Sequence, residues 1–150
     1  LDKLLWQFKT QARLSLCQPF ATLLAAQIKR QQQPLPQVLM PVPLHPSKLK
    51  LRGFNQSLEI AKLLGKQFNI AVDYQTLQAT HQTTQQKMLN KQQRLLNVEA
   101  SYALTRPLTA THIALIDDVI TTGATTKALA YLLREHGASH IQAWSIARTV

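Results

Sequence analysis

The stretch HIALIDDVITTGATTKALAYLLREHGASHIQAWSIART, residues 112–149, decides the fold. It opens with HIALIDDVI (112–120), a continuous apolar run interrupted only by two adjacent acids, which is the pattern of a strand covered on both faces of a parallel sheet. TTKALAYLLREHG (125–137) then takes up the period of a helix. Ala128, Leu129, Leu132 and Leu133 fall on one face, and Gly137 suits the left-handed turn past a helix end. HIQAWSIART (140–149) reads as a second strand. Strand, helix and strand in succession specify an open α/β sheet with the crossover helix laid on it.

The rest of the chain extends this unit. Residues 1–33 carry apolar positions at helical spacing (Leu4, Leu5, Phe8, then Phe20, Leu23, Leu24, Ile28), giving two helices or one interrupted one, with Pro19 tolerated in a first turn. VLMPVPLH (38–45) is a short strand whose prolines point to an end or an edge. PSKLKLRGFNQS (46–57) reads as a loop. Asn55 is positioned to cap a helix running to Phe68, with Ile60, Ala61, Leu64 and Phe68 inward. NIAVDY (69–74) and TLQATHQ (76–82) are strand-forming pieces with a tight connection. Residues 81–97, rich in Gln, Lys and Arg, read as a mobile excursion with a helical turn near Gln92–Leu96. At 150 residues the chain fits one domain, helices over 1–37 and a core over 38–150. A domain of that size buries about two thirds of its unfolded surface.

Composition narrows the partners. Of the net charge of +10, all belongs to the first part of the chain: residues 1–106 hold 14 Lys or Arg against 4 acids, whereas residues 107–150 hold 3 of each. Such a surface suits polyanions, either nucleic acid or phosphorylated small molecules, and is equally compatible with a solvated basic face. The one cysteine, Cys17, excludes a disulfide or a Cys-ligated zinc site within this chain and reads as a small buried hydrophobe. No apolar run approaches the roughly 20 residues of a membrane span, and no secretory leader is visible, so a cytoplasmic location is expected. Trp6 and Trp144 read as core residues. His81, His112, His136 and His140 lack metal-ligand spacing and read as surface or strand-end residues.

ALIDDVITTGAT (114–125) carries the chemistry. Ligands of open α/β sheets bind beyond the carboxyl ends of the strands, where Asp117 and Asp118 fall. The following turn leads into a helix whose first N–H groups favour an anion. Gly123 lets the backbone approach that anion, and Thr121, Thr122 and Thr125 offer hydroxyls. Acids beside an anion site repel the anion unless a group lies between them. A sugar does so, donating its hydroxyls to the acids while its phosphate sits in the turn, with a divalent cation screening the remaining charge. A Walker B strand also ends in acids but needs a Gly-x-x-x-x-Gly-Lys-[Ser/Thr] loop, which none of the four glycines provides. In a receiver domain the acid pair lies near the start, whereas here only residues 119–150 follow it.

The same stretch resembles the phosphoribosyl diphosphate (PRPP) motif of type I phosphoribosyltransferases. VPLHPSKLKLRGFNQSLEIAKLLG (42–65) is similar to the competence protein F (ComF) branch, and so is the pattern Gln86, Leu89, Arg94, Asn97. The resemblance implies the type I phosphoribosyltransferase fold: a mostly parallel sheet flanked by helices, with a flexible hood. It implies that Asp117 and Asp118 hold the ribose hydroxyls and that Thr121, Thr122, Gly123, Ala124 and Thr125 hold the 5′-phosphate. It further implies that His45, Lys48, Arg52, Gly53, Asn55 and Gln56 form the diphosphate loop, supported by Lys50, and that Thr80, Gln86, Arg94 and Asn97 belong to the flexible loop. Asp117, Asp118 and Arg52 are the candidate catalytic residues. Mg²⁺ is expected through the substrate, with no zinc in this chain.

Two departures stand out. Ala79 precedes Thr80 where the branch has an Arg-Thr pair, and the Cys-rich zinc module common ahead of this domain is not in a sequence that begins at Leu1. The resemblance implies a role in natural competence and DNA uptake, as a phosphoribosyltransferase or, alternatively, as a PRPP sensor or single-stranded-DNA-binding module. The implied partners are PRPP, single-stranded DNA and the competence helicase.

Overall fold

In a computed structural model of the chain, residues 3–4, 6–7, 13–80 and 101–149 are described. A 3₁₀ turn, Leu14–Leu16, leads into α1 (Cys17–Gln31), where Pro19 occupies the first turn. Phe20, Leu24 and Ile28 are buried there as their spacing requires, but Leu23 points outward and is 63 % exposed. The chain then forms β1 (Val38–Pro41), α2 (Pro46–Arg52), α3 (Gln56–Phe68), β2 (Ala71–Val72), β3 (Leu77–Ala79), β4 (Tyr102–Leu104), β5 (His112–Ile120), α4 (Ala124–Glu135) and β6 (His140–Arg148).

Four strands make one parallel sheet in the order β2-β1-β5-β6. β1 is therefore an interior strand, and its prolines mark the strand's end rather than the sheet's edge. Pairing with β5 runs from Val38 opposite Ile113 to Pro41 opposite Ile116, and the Val42 amide still donates to the Ile116 carbonyl at 2.8 Å. A proline deprives the ladder of one donor, which is tolerated where pairing is about to stop.

Side chains alternate across a strand, so the sheet buries two layers. Leu39, Ala114, Ile116 and Trp144 face α1 and α3; Val38, Met40, Ile113 and Leu115 face α4 and the β3–β4 hairpin. Ile60, Ala61 and Leu64 of α3 are fully buried in the first layer, and Leu129 and Leu133 of α4 in the second. Trp144 is a core residue whose indole N–H donates to Gln142 Oε1 at 3.1 Å and whose ring meets Phe68 with centroids 6.2 Å apart. Trp6, by contrast, is 61 % exposed rather than a core residue. Cys17 is buried beside α3, and burial, aided by the charge of Glu59, pushes its thiol up to about 11.

Helix ends follow their sequence signals. Asn55 Oδ1 accepts from the amides of Ser57 and Leu58 at the start of α3. Past α4, the amides of Gly137 and Ala138 donate to the carbonyls of Arg134 and Leu133, with Gly137 at φ 108°, the paired closure that a left-handed residue permits.

NIAVDY and TLQATHQ both supply strands joined by a short connection, and these go to different sheets: β2 joins the parallel sheet, while β3 pairs antiparallel with β4. Between them Asp73 turns the chain, its Oδ1 accepting from the amides of Gln75 and Thr76. PSKLKLRGFNQS is not a plain loop, since residues 46–52 form α2. His45 Nδ1 accepts from the Ser47 amide at 3.2 Å, Pro46 opens the helix, and Gly53 closes it at φ 83° with its amide on the Leu49 carbonyl. Helix-forming Lys and Leu residues between a cap and a glycine suffice for two turns.

Candidate functional site

β1 feeds α3 on one face of the sheet and β5 feeds α4 on the other, so the chain reverses its winding between these two neighbouring strands. Their carboxyl ends form the crevice where α/β sheets take ligands. β5 runs four residues beyond its last partner on β1, paired from there only with β6. Asp117 and Asp118 lie in this overhang, inside the strand rather than after it. By alternation they project to opposite faces: Asp117 toward α4 and the hairpin, Asp118 toward α3. Asp117 Oδ1 accepts from the Asp118 amide at 2.9 Å, and Asp118 Oδ1 accepts from the Val119 amide at 2.7 Å.

The turn after β5 has the predicted form. Gly123 adopts φ 80° at the N-cap of α4 without a side-chain cap to the helix, and the Ala124 amide reaches Thr122 Oγ1 at 3.3 Å. A left-handed residue with no side chain lets the first amides of α4 face the space above the turn. Asp117, Val119 and the segment from Ile120 to Thr126 line a cavity of about 60 Å³. That volume is about two waters' worth, room for a phosphate group and far below a whole nucleotide site.

On the β1 side, α2 carries Lys48, Lys50 and Arg52 and buries none of its residues. Among the described residues the ion pair present is Lys62–Glu59, and none of these three cations has a carboxylate partner among those residues. Asn55 fixes the segment to the sheet, its Nδ2 donating to the Val42 carbonyl at 3.1 Å just past β1. Arg52 Nη1 donates to Gln56 Oε1 at 3.4 Å, and Gln56 is buried. His45 and Asn55 thus act as caps, Gly53 spends its amide on closing α2, and the cations form the charged rim. Thr80 lies at the mouth of the hairpin, its amide on the Ser101 carbonyl at 2.7 Å. Gln86, Arg94 and Asn97 lie outside the described residues.

Sequence reasoning missed Tyr102. Its side chain is half-buried against the α4-side core, its hydroxyl is hydrogen-bonded with Thr125, and it stands near Asp117. Burial pushes this hydroxyl above the usual phenol range, Asp117 adds to the rise, and the Thr125 hydrogen bond offsets part of it. Nothing local signals this residue, because β4 has three residues and its partner strand lies more than twenty residues upstream.

Comparison with known proteins agrees with this architecture. The structure superposes on a hypoxanthine-guanine phosphoribosyltransferase from Bacillus anthracis with a TM-score of 0.54, over 89% of this chain and 69% of that one at 14% identity, a likeness of fold. The chain therefore has the phosphoribosyltransferase fold: a parallel four-stranded sheet between helices. No protein-family model matches it. It is 32% identical over 154 residues to the DNA utilization protein YhgH of Salmonella typhi, spanning all of this chain and 68% of that protein. It is also 30% identical over 155 residues to competence protein F of Haemophilus influenzae, spanning 99% of this chain and 68% of that protein. The chain belongs to this family of DNA utilization and competence F proteins.

Proposed function

We propose that the chain binds phosphoribosyl diphosphate with Mg²⁺ at the carboxyl ends of β1 and β5, and that this binding serves DNA uptake. The observation that carries the reading is the cavity formed by Asp117 and the Thr121–Thr125 turn at the N-terminus of α4. There the 5′-phosphate accepts from the helix amides and threonine hydroxyls, while the ribose lies across the overhang of β5 and donates to Asp117 and Asp118. The diphosphate extends over the end of β1 toward Lys48, Lys50 and Arg52. The role in DNA uptake rests on the names of the relatives.

Among the described residues no three His, Cys, Asp or Glu side chains gather to hold a metal by themselves. This suits Mg²⁺, which is commonly held by one or two carboxylates and the substrate's phosphates, here Asp117 or Asp118 with the diphosphate. Held there, Mg²⁺ would supply charge neutralisation to a leaving diphosphate. The chain's own part is to fix the ribose between phosphate and acids and to surround the diphosphate with cations, so that a nitrogen nucleophile displaces it at the anomeric carbon.

A second reading, a PRPP sensor without turnover, is favoured by Ala79, which stands opposite Tyr102 at the hairpin mouth where the family pattern has an arginine. Calorimetry tests the shared premise. PRPP with Mg²⁺ gives a binding heat that Asp117→Ala abolishes while its melting temperature stays near that of the parent; undiminished binding by the variant rejects the site.

A further inference from the structure

We propose that His112 and His140 form a two-imidazole site for a late first-row divalent metal ion, with Zn²⁺ as its type, at the amino ends of β5 and β6. It lies at the other end of β5 from Asp117 and Asp118 and does not depend on the ribose-phosphate reading.

The sheet brings the two residues together. Distant in sequence, they are direct partners in the parallel register of β5 and β6. Side-chain alternation sends both to the face that carries Ala114, Ile116 and Trp144. Their ring centroids stand 5.6 Å apart with the planes inclined at 52°. Two imidazoles that each place a nitrogen about 2.1 Å from one tetrahedral ion have centroids roughly 5 Å apart, so a small turn of either ring brings both onto a shared ion. The remaining positions fall to water, since no third His, Cys, Asp or Glu joins them among the described residues.

The tautomer of His140 follows from its neighbour. Ser139 Oγ donates its one proton to the Thr111 carbonyl at 3.3 Å and lies 3.2 Å from His140 Nδ1. With that proton engaged, Oγ can only accept from the ring, so Nδ1 carries the imidazole proton and Nε2 presents a lone pair. Metal-bound imidazoles have this form, with one nitrogen on the ion and the other N–H anchored to an oxygen. His112 is half-buried, and its amide is fixed by donation to Gln37 Oε1 at 3.0 Å. Its ring makes no hydrogen bond among the described residues, which leaves its nitrogens for the ion. Imidazole suits Zn²⁺, Cu²⁺ or Ni²⁺, whereas Mg²⁺ takes oxygen ligands, so the Mg²⁺ of the proposed function does not compete here.

Calorimetry with Zn²⁺ alone, on the full chain without a histidine tag, tests the site. One ion should bind per chain. Ser139→Ala, which keeps both ligands and removes the anchor of Nδ1, should weaken binding about 10-fold, the effect of losing an outer-shell partner. His112→Gln and His140→Gln should each weaken it further, because a single imidazole cannot chelate, and His136→Gln on α4 should bind as the parent does. A parent that takes up no Zn²⁺, or an affinity unchanged in His140→Gln or in Ser139→Ala, overturns the proposal. Histidine ring resonances of the unsubstituted chain give a measurement free of any folding defect in the variants. Adding Zn²⁺ should shift those of His112 and His140 and leave those of His45 and His136 in place; equal movement of all four would also overturn it.

Discussion

Asp73 shows how much one side chain can organise. Its Oδ1 accepts from two amides, and its Oδ2 accepts from the hydroxyl of Thr76 at 2.5 Å, where Thr76 is only 1 % exposed. Burial acts to raise its pKa, but the Thr76 and Gln75 hydrogen bonds, helped by the charge of Arg106, outweigh it and hold the carboxyl below the usual 3.8. A group depressed on folding contributes stability that is full above its unfolded value and vanishes as pH falls through the lower folded value. Asp73→Ala should therefore cost about 2 kcal/mol at neutral pH, since it strands donors around a buried threonine. The difference from the parent should shrink steadily below about pH 4. Urea unfolding at pH 7 and in acid checks this, and a difference independent of pH would contradict it.

Elements differ in why they need glycine. Gly123 is required by backbone conformation alone: an added Cβ would meet only Ile120 Cγ2, at 4.0 Å, but φ is 80°. Gly65, inside α3, is required by space, because a Cβ would lie 2.7 Å from the Ile70 carbonyl oxygen and 2.8 Å from Val72 Cγ2, where the helix turns back into β2. Gly123→Ala should cost about 1–2 kcal/mol, the penalty of a left-handed residue with a side chain. It should also weaken ribose-phosphate binding, because the first amides of α4 lose their approach. Gly65→Ala should cost at least as much by displacing backbone, while leaving the affinity of the folded protein unchanged. Thermal melts and calorimetry on both variants separate the two cases; equal effects on affinity would refute the distinction.

Across the whole molecule, the open question is turnover. The sheet brings the acid-and-threonine turn to the carboxyl end of β5 and the cations of α2 past the end of β1, the arrangement proposed above to hold PRPP. The hairpin mouth carries Ala79 in place of a cation. If the chain is a sensor, PRPP with Mg²⁺ should bind without diphosphate release across a panel of nucleobases and other nitrogen nucleophiles, measured by coupled diphosphate detection. Release above the rate without protein, abolished in Asp117→Ala, would establish the enzyme. No helix among the described residues is long and apolar enough to cross a membrane.

Wherever local pattern carries the information, the amino-acid sequence by itself determined the result. The apolar run of β5, the inward face of α4, the Asn55 and Gly137 caps and the acid-Thr-Gly turn all follow from residue spacing within a single element, because strand and helix periods and cap chemistry are local. Tertiary structure alone decided what depends on partners distant along the chain. It put β1 inside the sheet despite its prolines, gave β3 and β4 to each other, and carried β5 past the end of β1 so that its acids flank a crevice on opposite faces. It also brought Tyr102 to Thr125. Such contacts are selected by burial and by pairing across many residues, and a hydroxyl brought up from another strand leaves no period or motif in the sequence around it.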